Sequence, residues 1–168
     1  MGEWPRLRTA VFPDVRVVPG DELIDALEQS YYHCGRDQTL VVTRSNKRAN
    51  IYNNGIRARI LDLEGELESG DRLMVAKNNY HWLPESFIAN GDLCEVRRLR
   101  NEREFYGFRF ADATLEFPDY DGMEVSCTVL LDTLHTEAPA LTREQQTALF
   151  HRICEYYPEI TRQRDLIK

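Results

Sequence analysis

The sequence contains no G-x-x-x-x-G-K-[ST] loop and no G-x-G-x-x-G turn. The first would bring backbone N–H groups to phosphates, a Lys to the β/γ-phosphates and a hydroxyl to Mg²⁺. A chain without it is not expected to hydrolyse a nucleotide alone. No apolar run approaches the roughly 18 residues that cross a bilayer, so no membrane contact is expected. Met1 to Arg8 holds Trp4, Pro5, Arg6 and Arg8 without an apolar signal core, so no secretory signal is read, and a cytoplasmic location is expected. The cysteines, Cys34, Cys94, Cys127 and Cys154, form no C-x-x-C pair, which argues against a zinc site and against a secreted disulfide framework. Free buried thiols are the plain reading. His135-Thr136-Glu137 lacks H-E-x-x-H spacing, so no metalloprotease centre and no metal ligand is expected.

Basic charge is also short. With 21 Lys and Arg against 28 Asp and Glu the net charge is −7, and the pI is about 5.2. A stand-alone nucleic-acid binder usually presents a net basic surface, so strong DNA binding by the chain alone is not expected. Local basic clusters remain at Arg44/Lys47/Arg48, Arg57/Arg59 and Arg97/Arg98/Arg100/Arg103. Within a larger assembly they could touch phosphates; surface solubility is the competing reading. The 168 residues suit one domain or one and a half small ones, and 42% hydrophobic with 29% charged residues is ordinary globular composition.

What is present begins with helical spacing. Leu23, Leu27, Ser30/Tyr31 and Cys34 recur after Asp21, a plausible N-cap, and Gly35 supplies a stop. Thr39 to Thr43 (TLVVT) reads as a buried parallel strand. Ser45 caps a second helix to about Ile60, with Ala49, Tyr52, Ile56 and Ile60 on one stripe and Arg44, Lys47, Arg48 and Asn54 off it. Helix, strand and helix form part of an α/β sandwich. After Leu61 the pattern changes to turns and short strands. Arg72 to Lys77, Leu93 to Leu99, Tyr106 to Phe117 and Glu124 to Leu131 are strand candidates, with turns at Gly70-Asp71, Asn78-Asn79, Asn90-Gly91-Asp92 and Asp121-Gly122. Such a run suggests a small antiparallel barrel. Thr142 and Gln145 have capping-box spacing for a last helix that stops before Pro158, and the charged stretch from Glu159 gives no core signal.

The segment Thr43-Arg44-Ser45-Asn46-Lys47-Arg48-Ala49-Asn50-Ile51-Tyr52-Asn53 follows the strand candidate directly. A strand end feeding a capped helix sets side chains and free N–H groups where α/β proteins bind ligands. An Arg there could stabilise charge on a transferring phosphate, or could simply solvate a helix start. This segment resembles motif IV of RecD-like superfamily 1 DNA helicases. Gly70-Asp71-Arg72-Leu73-Met74, Lys77-Asn78-Asn79-Tyr80 and Ala89-Asn90-Gly91-Asp92 resemble the G-D-x-[VL]-M, [KR]-N-[ND]-Y and N-G-D run of the same family, in the same order. The match covers Asp37 to about Leu99; Tyr106 to Lys168 is only generally similar to an insert in exonuclease V alpha subunits.

The resemblance implies an α/β plus all-β fold. Residues 1–62 would be part of the second RecA-like domain, 63–135 an inserted SH3-like barrel, and 136–168 a helical return. It further implies a helicase fragment, lacking the motifs that flank this region, that serves ATP- and Mg-dependent translocation on single-stranded DNA together with the remaining helicase domains. Arg44 would reach the γ-phosphate across the domain cleft, with Arg48 next. Asn78, Asn79, Tyr80, Trp82 and Asn90 would line the DNA path, although Asn and Gly-Asp also have local backbone reasons to occupy turns. Tyr80 and Trp82 could stack on bases, as could Tyr31 and Tyr32, whereas Tyr106, Phe108 and Phe110 alternate as core residues do. The acidic group Asp112, Asp119, Asp121 and Glu124 could bind Mg²⁺ or form a solvated turn. The alternative from another class is a stand-alone, non-catalytic SH3-like module that binds protein or nucleic acid.

Overall fold

The computed structural model describes residues 9–83, 86–134 and 141–158. The readings placed on the first eight residues, on His135-Thr136-Glu137 and on the stretch from Glu159 lie outside them. The chain divides into two compact units between Leu61 and Asp62.

The first unit holds two helices, α1 (Leu23–Cys34) and α2 (Asn46–Arg59). Helix α1 begins after Glu22 without a side-chain cap, not at an Asp21 cap, and Gly35 ends it by donating its N–H to Tyr31 O at 3.1 Å. Helix α2 starts as its spacing predicts. Ser45 is extended and its Oγ accepts the Arg48 N–H at 3.3 Å, which satisfies one of the helix's free N-terminal donors. Ile56 is buried and Ala49, Tyr52 and Ile60 are half-buried, while Arg44, Lys47, Arg48 and Asn54 are exposed.

The buried strand expected at Thr39–Thr43 does not form. Thr39–Thr43 runs outside any assigned strand, and Leu40 and Val42 are 86% and 85% exposed. The physical reason is partnership: an extended segment becomes a strand only when a neighbour completes its ladder, and no neighbour exists among described residues 9–61. This unit has almost no core. Ile56 alone is buried among its described side chains, and Val11, Val17 and Ile51 are each more than 60% exposed.

The second unit is different. Strands β1 (Arg72–Met74), β2 (Leu93–Phe105), β3 (Phe108–Phe117) and β4 (Met123–Leu130) form one antiparallel sheet in the order β1-β2-β3-β4. The sheet curls into a half-barrel and stays open, since β1 and β4 do not pair. Strand β3 alternates cleanly: Ala111, Ala113, Leu115 and Phe117 are buried, and Asp112, Thr114 and Glu116 face outward. These residues join Leu67, Ile88, Cys94, Val96 and Leu131 in one core, with Phe117, Ile88 and Val96 fully enclosed.

Two strand bounds differ from the sequence reading. Tyr106-Gly107 is a turn, not the start of β3; both residues have positive φ, 58° and 76°, the conformation of a two-residue type I′ hairpin, which Gly107 adopts without a Cβ penalty. Strand β2 runs on to Phe105 through irregularities at Arg97 and at Asn101-Glu102, which break its period of two. The last helix, α3 (Arg143–Tyr156), carries the predicted capping box, with reciprocal bonds between Thr142 and Gln145 at 3.2 and 2.9 Å. Tyr156 meets Tyr106 edge-on, ring centroids 5.4 Å apart. No helix among the described residues is long and apolar enough to cross a membrane.

Candidate functional site

The candidate residues fall on two surfaces, one in each unit. In the first unit, Arg44 sits in the bend between Thr43 and α2, and Arg48 lies in the first turn. Thr43 Oγ1 donates to Ser45 O at 3.1 Å, so the entry to the helix is fixed at both sides of Arg44. Both guanidinium-bearing residues are exposed. Positive side chains beside the N-terminal N–H groups of a 14-residue helix make a surface suited to an anionic oxygen.

In the second unit the structure brings Asn78, Tyr80 and Asn90 together. Asn78 Nδ2 donates to Tyr80 Oη at 2.9 Å, and Asn78 Oδ1 accepts the Asn90 N–H at 2.8 Å. Asn79 Oδ1 accepts the N–H groups of His81 and Trp82 at 2.9 and 3.2 Å, and the Asn79 backbone exchanges both bonds with Ile88 at 2.9 Å. The side chains of Asn78 and Asn79 are thus engaged in shaping the loop from Lys77 to Asp92. Tyr80 stands 63% exposed with its ring 5.3 Å from Phe87, and Trp82, 36% exposed, leans on buried Phe117 at 6.3 Å. An aromatic ledge of Tyr80, Trp82 and Phe87 results. Phe87 escaped the sequence reading because nothing in its spacing distinguished a loop aromatic that packs from one that is displayed.

The Gly-Asp pairs work on the backbone. Gly70 has φ 94° and donates to Val96 O at 2.7 Å, and the buried Asp71 carboxylate accepts the Glu68 N–H at 2.8 Å. Asp92 accepts the Ala89 N–H at 2.7 Å and also the Tyr120 hydroxyl, whose proton is held above its ordinary range chiefly by that bond. Tyr120 was missed because it lies 28 residues from Asp92 and only the fold joins them.

On the outer sheet face the basic cluster of β2 divides. Arg97 bridges Glu95 and Glu116, and Arg103 pairs with Asp112 at 2.8 Å. The Arg103 guanidinium, helped by Asn101 and Thr128, holds the Asp112 carboxyl well below the usual carboxylate range. Arg98 and Arg100 have no protein partner among the described residues. The acidic group does not converge. Asp112 is bound into this network, Asp121 forms the β3–β4 turn at φ 54°, and no group of three or more His, Cys, Asp and Glu is set to hold a metal among the described residues. Comparison with protein families, with curated proteins and with solved structures finds no match to the chain.

Proposed function

We propose that the chain is part of an ATP-dependent DNA helicase motor of the RecD-like branch, where its first unit belongs to the second RecA-like domain and its half-barrel to an SH3-like insertion. One observation carries this reading. Thr39–Thr43 forms no strand, Leu40 and Val42 are exposed, and the segment leads straight into the Ser45-capped helix. A β-branched, apolar segment has the composition of a buried parallel strand, and among the described residues no strand pairs with it. Completed by further strands, the sheet would set Arg44 at the carboxyl edge where a phosphate binds. Arg44 then acts on the γ-phosphate of ATP held with Mg by the other half of the motor, and Arg48 assists. Asn78, Asn79, Tyr80, Trp82 and Asn90 border the path of single-stranded DNA, with Tyr80 and Trp82 stacking on bases.

The isolated chain then has no ATPase activity, because it brings no phosphate loop. DNA-stimulated turnover by the pure chain, checked by phosphate release, would sink the proposal. A second reading has its own support. The described part of the half-barrel unit encloses one continuous hydrophobic core and so suits a non-catalytic binding module. Sequencing outward from the gene separates the two: a phosphate loop upstream and a glutamine- and histidine-containing motif downstream favour the motor, and an open reading frame without them favours the module.

A further inference from the structure

The outer face of β2, β3 and β4 holds an open groove of about 390 Å³. Its floor is a lattice of two rows fixed by strand register. Arg98 stands opposite Thr114, which stands opposite Ser126; Arg100 stands opposite Asp112, which stands opposite Thr128. The irregularity at Arg97 is what turns Arg98 and Arg100 to this side, since it carries Val96 and Leu99 toward the core. Strand rise puts the two arginines about 7 Å apart along β2, and strand spacing makes each row about 10 Å wide.

The charges in the groove are not equivalent. Asp112 is neutralised by Arg103 and takes further bonds from Asn101 Nδ2 and Thr128 Oγ1, both at 3.1 Å. Arg98 and Arg100 enter no ion pair, although Arg100 stands opposite the Arg103-bound Asp112, and the hydroxyls of Thr114 and Ser126 have no protein partner among the described residues. Two free guanidinium forks and two free hydroxyl donors, arranged on a rigid sheet, match phosphoryl oxygens in a way that no apolar ligand and no cation does. No aromatic side chain lines the groove, so nothing there reads a base.

We infer that this groove holds the phosphate backbone of single-stranded nucleic acid, independently of sequence, with Arg98 and Arg100 on successive phosphates and Thr114 and Ser126 donating to their oxygens. A strand is favoured over a lone phosphate because strand rise spaces the two arginines about 7 Å apart along β2, so that each can take its own phosphate. The inference goes beyond the motor reading. It uses other residues, and its test involves no ATP, so the two can fail separately.

The test is fluorescence anisotropy of a labelled oligothymidylate titrated with the full chain over a series of salt concentrations. The wild-type chain binds at low salt. The double variant Arg98→Ala/Arg100→Ala binds more weakly, and its slope of log affinity against log salt is shallower by about 1.4, since each single-strand phosphate contact contributes about 0.7. Lysine at both positions restores the slope. Thr114→Val with Ser126→Ala lowers affinity and leaves the slope unchanged, because it removes neutral donors; this pair also serves if the alanine variant loses its native circular-dichroism spectrum. An unchanged slope in a folded alanine variant overturns the inference, as does unchanged affinity in the hydroxyl variant or absence of wild-type binding at low salt. Equal competition by tripolyphosphate or by polyglutamate at matched charge overturns the assignment to a nucleic-acid strand.

Discussion

Asp112 shows how one side chain can be constrained by three partners on the two neighbouring strands. Its carboxylate accepts from Arg103 at 2.8 Å, from Asn101 and from Thr128. Because the folded-state pKa lies below the unfolded value, the stabilisation is present above about pH 3.9 and fades as pH falls through the folded pKa. Asp112→Asn is therefore less stable than wild type in neutral urea melts, and the gap between the two narrows in melts run below about pH 3.9. A gap that stays constant over that range would contradict this account. Cys94 is the opposite case. Burial pushes its thiol up to about 11, with Cys127 adding to the shift, whereas Cys34 is exposed. A thiol-specific reagent at mild alkaline pH is expected to label Cys34 in the native chain and to reach Cys94 only after unfolding, as mass spectrometry can read. The plain reading of buried thiols thus suits Cys94 and fails for Cys34, whose place in the last turn of α1 faces no core.

At the scale of elements, the sheet depends on a few enclosed side chains. Phe117 is fully buried between Trp82 and Tyr120, and Phe117→Ala should cost about 3–5 kcal/mol in denaturant unfolding of the half-barrel. A loss below about 1 kcal/mol would mean that the core collapses around the gap. Removing the cap by Ser45→Ala should cost about 0.5–2 kcal/mol, read as lost helicity in α2. Elements whose signals are local were legible beforehand. Ser45, Gly35, Thr142 with Gln145, and Asp121-Gly122 each act within a turn, and each is found where its chemistry puts it. Signals that depend on distant partners were not legible. The TLVVT segment has strand composition but no strand beside it, and the outward turn of Arg98 follows from an irregularity that leaves no mark on local composition. The division of the β2 arginines into paired and free members was also hidden, because Glu116 and Asp112 reach them only through the β2–β3 register.

The two units of the whole molecule stand in contrast. The half-barrel encloses one continuous core, and the first unit buries Ile56 alone among its described side chains. Among the described residues, burial of this extent contributes little against the conformational entropy of ordering two helices. Amide hydrogen exchange in the isolated chain should accordingly show slow sites in β2 and β3 and fast exchange across Thr39–Thr43. The aromatic ledge of Tyr80, Trp82 and Phe87 and the groove of Arg98 and Arg100 both lie on the well-packed unit, whereas Arg44 and Arg48 lie on the poorly packed one.

The proposed place of Arg44 in the motor is tested most directly by ATP turnover of the intact polypeptide carrying Arg44→Ala, measured with saturating single-stranded DNA. An arginine that stabilises charge on a transferring phosphate contributes about 10³-fold or more to turnover. The account predicts a loss of that order with DNA affinity largely kept. Turnover equal to that of the unaltered polypeptide would remove Arg44 from the nucleotide site and contradict the account.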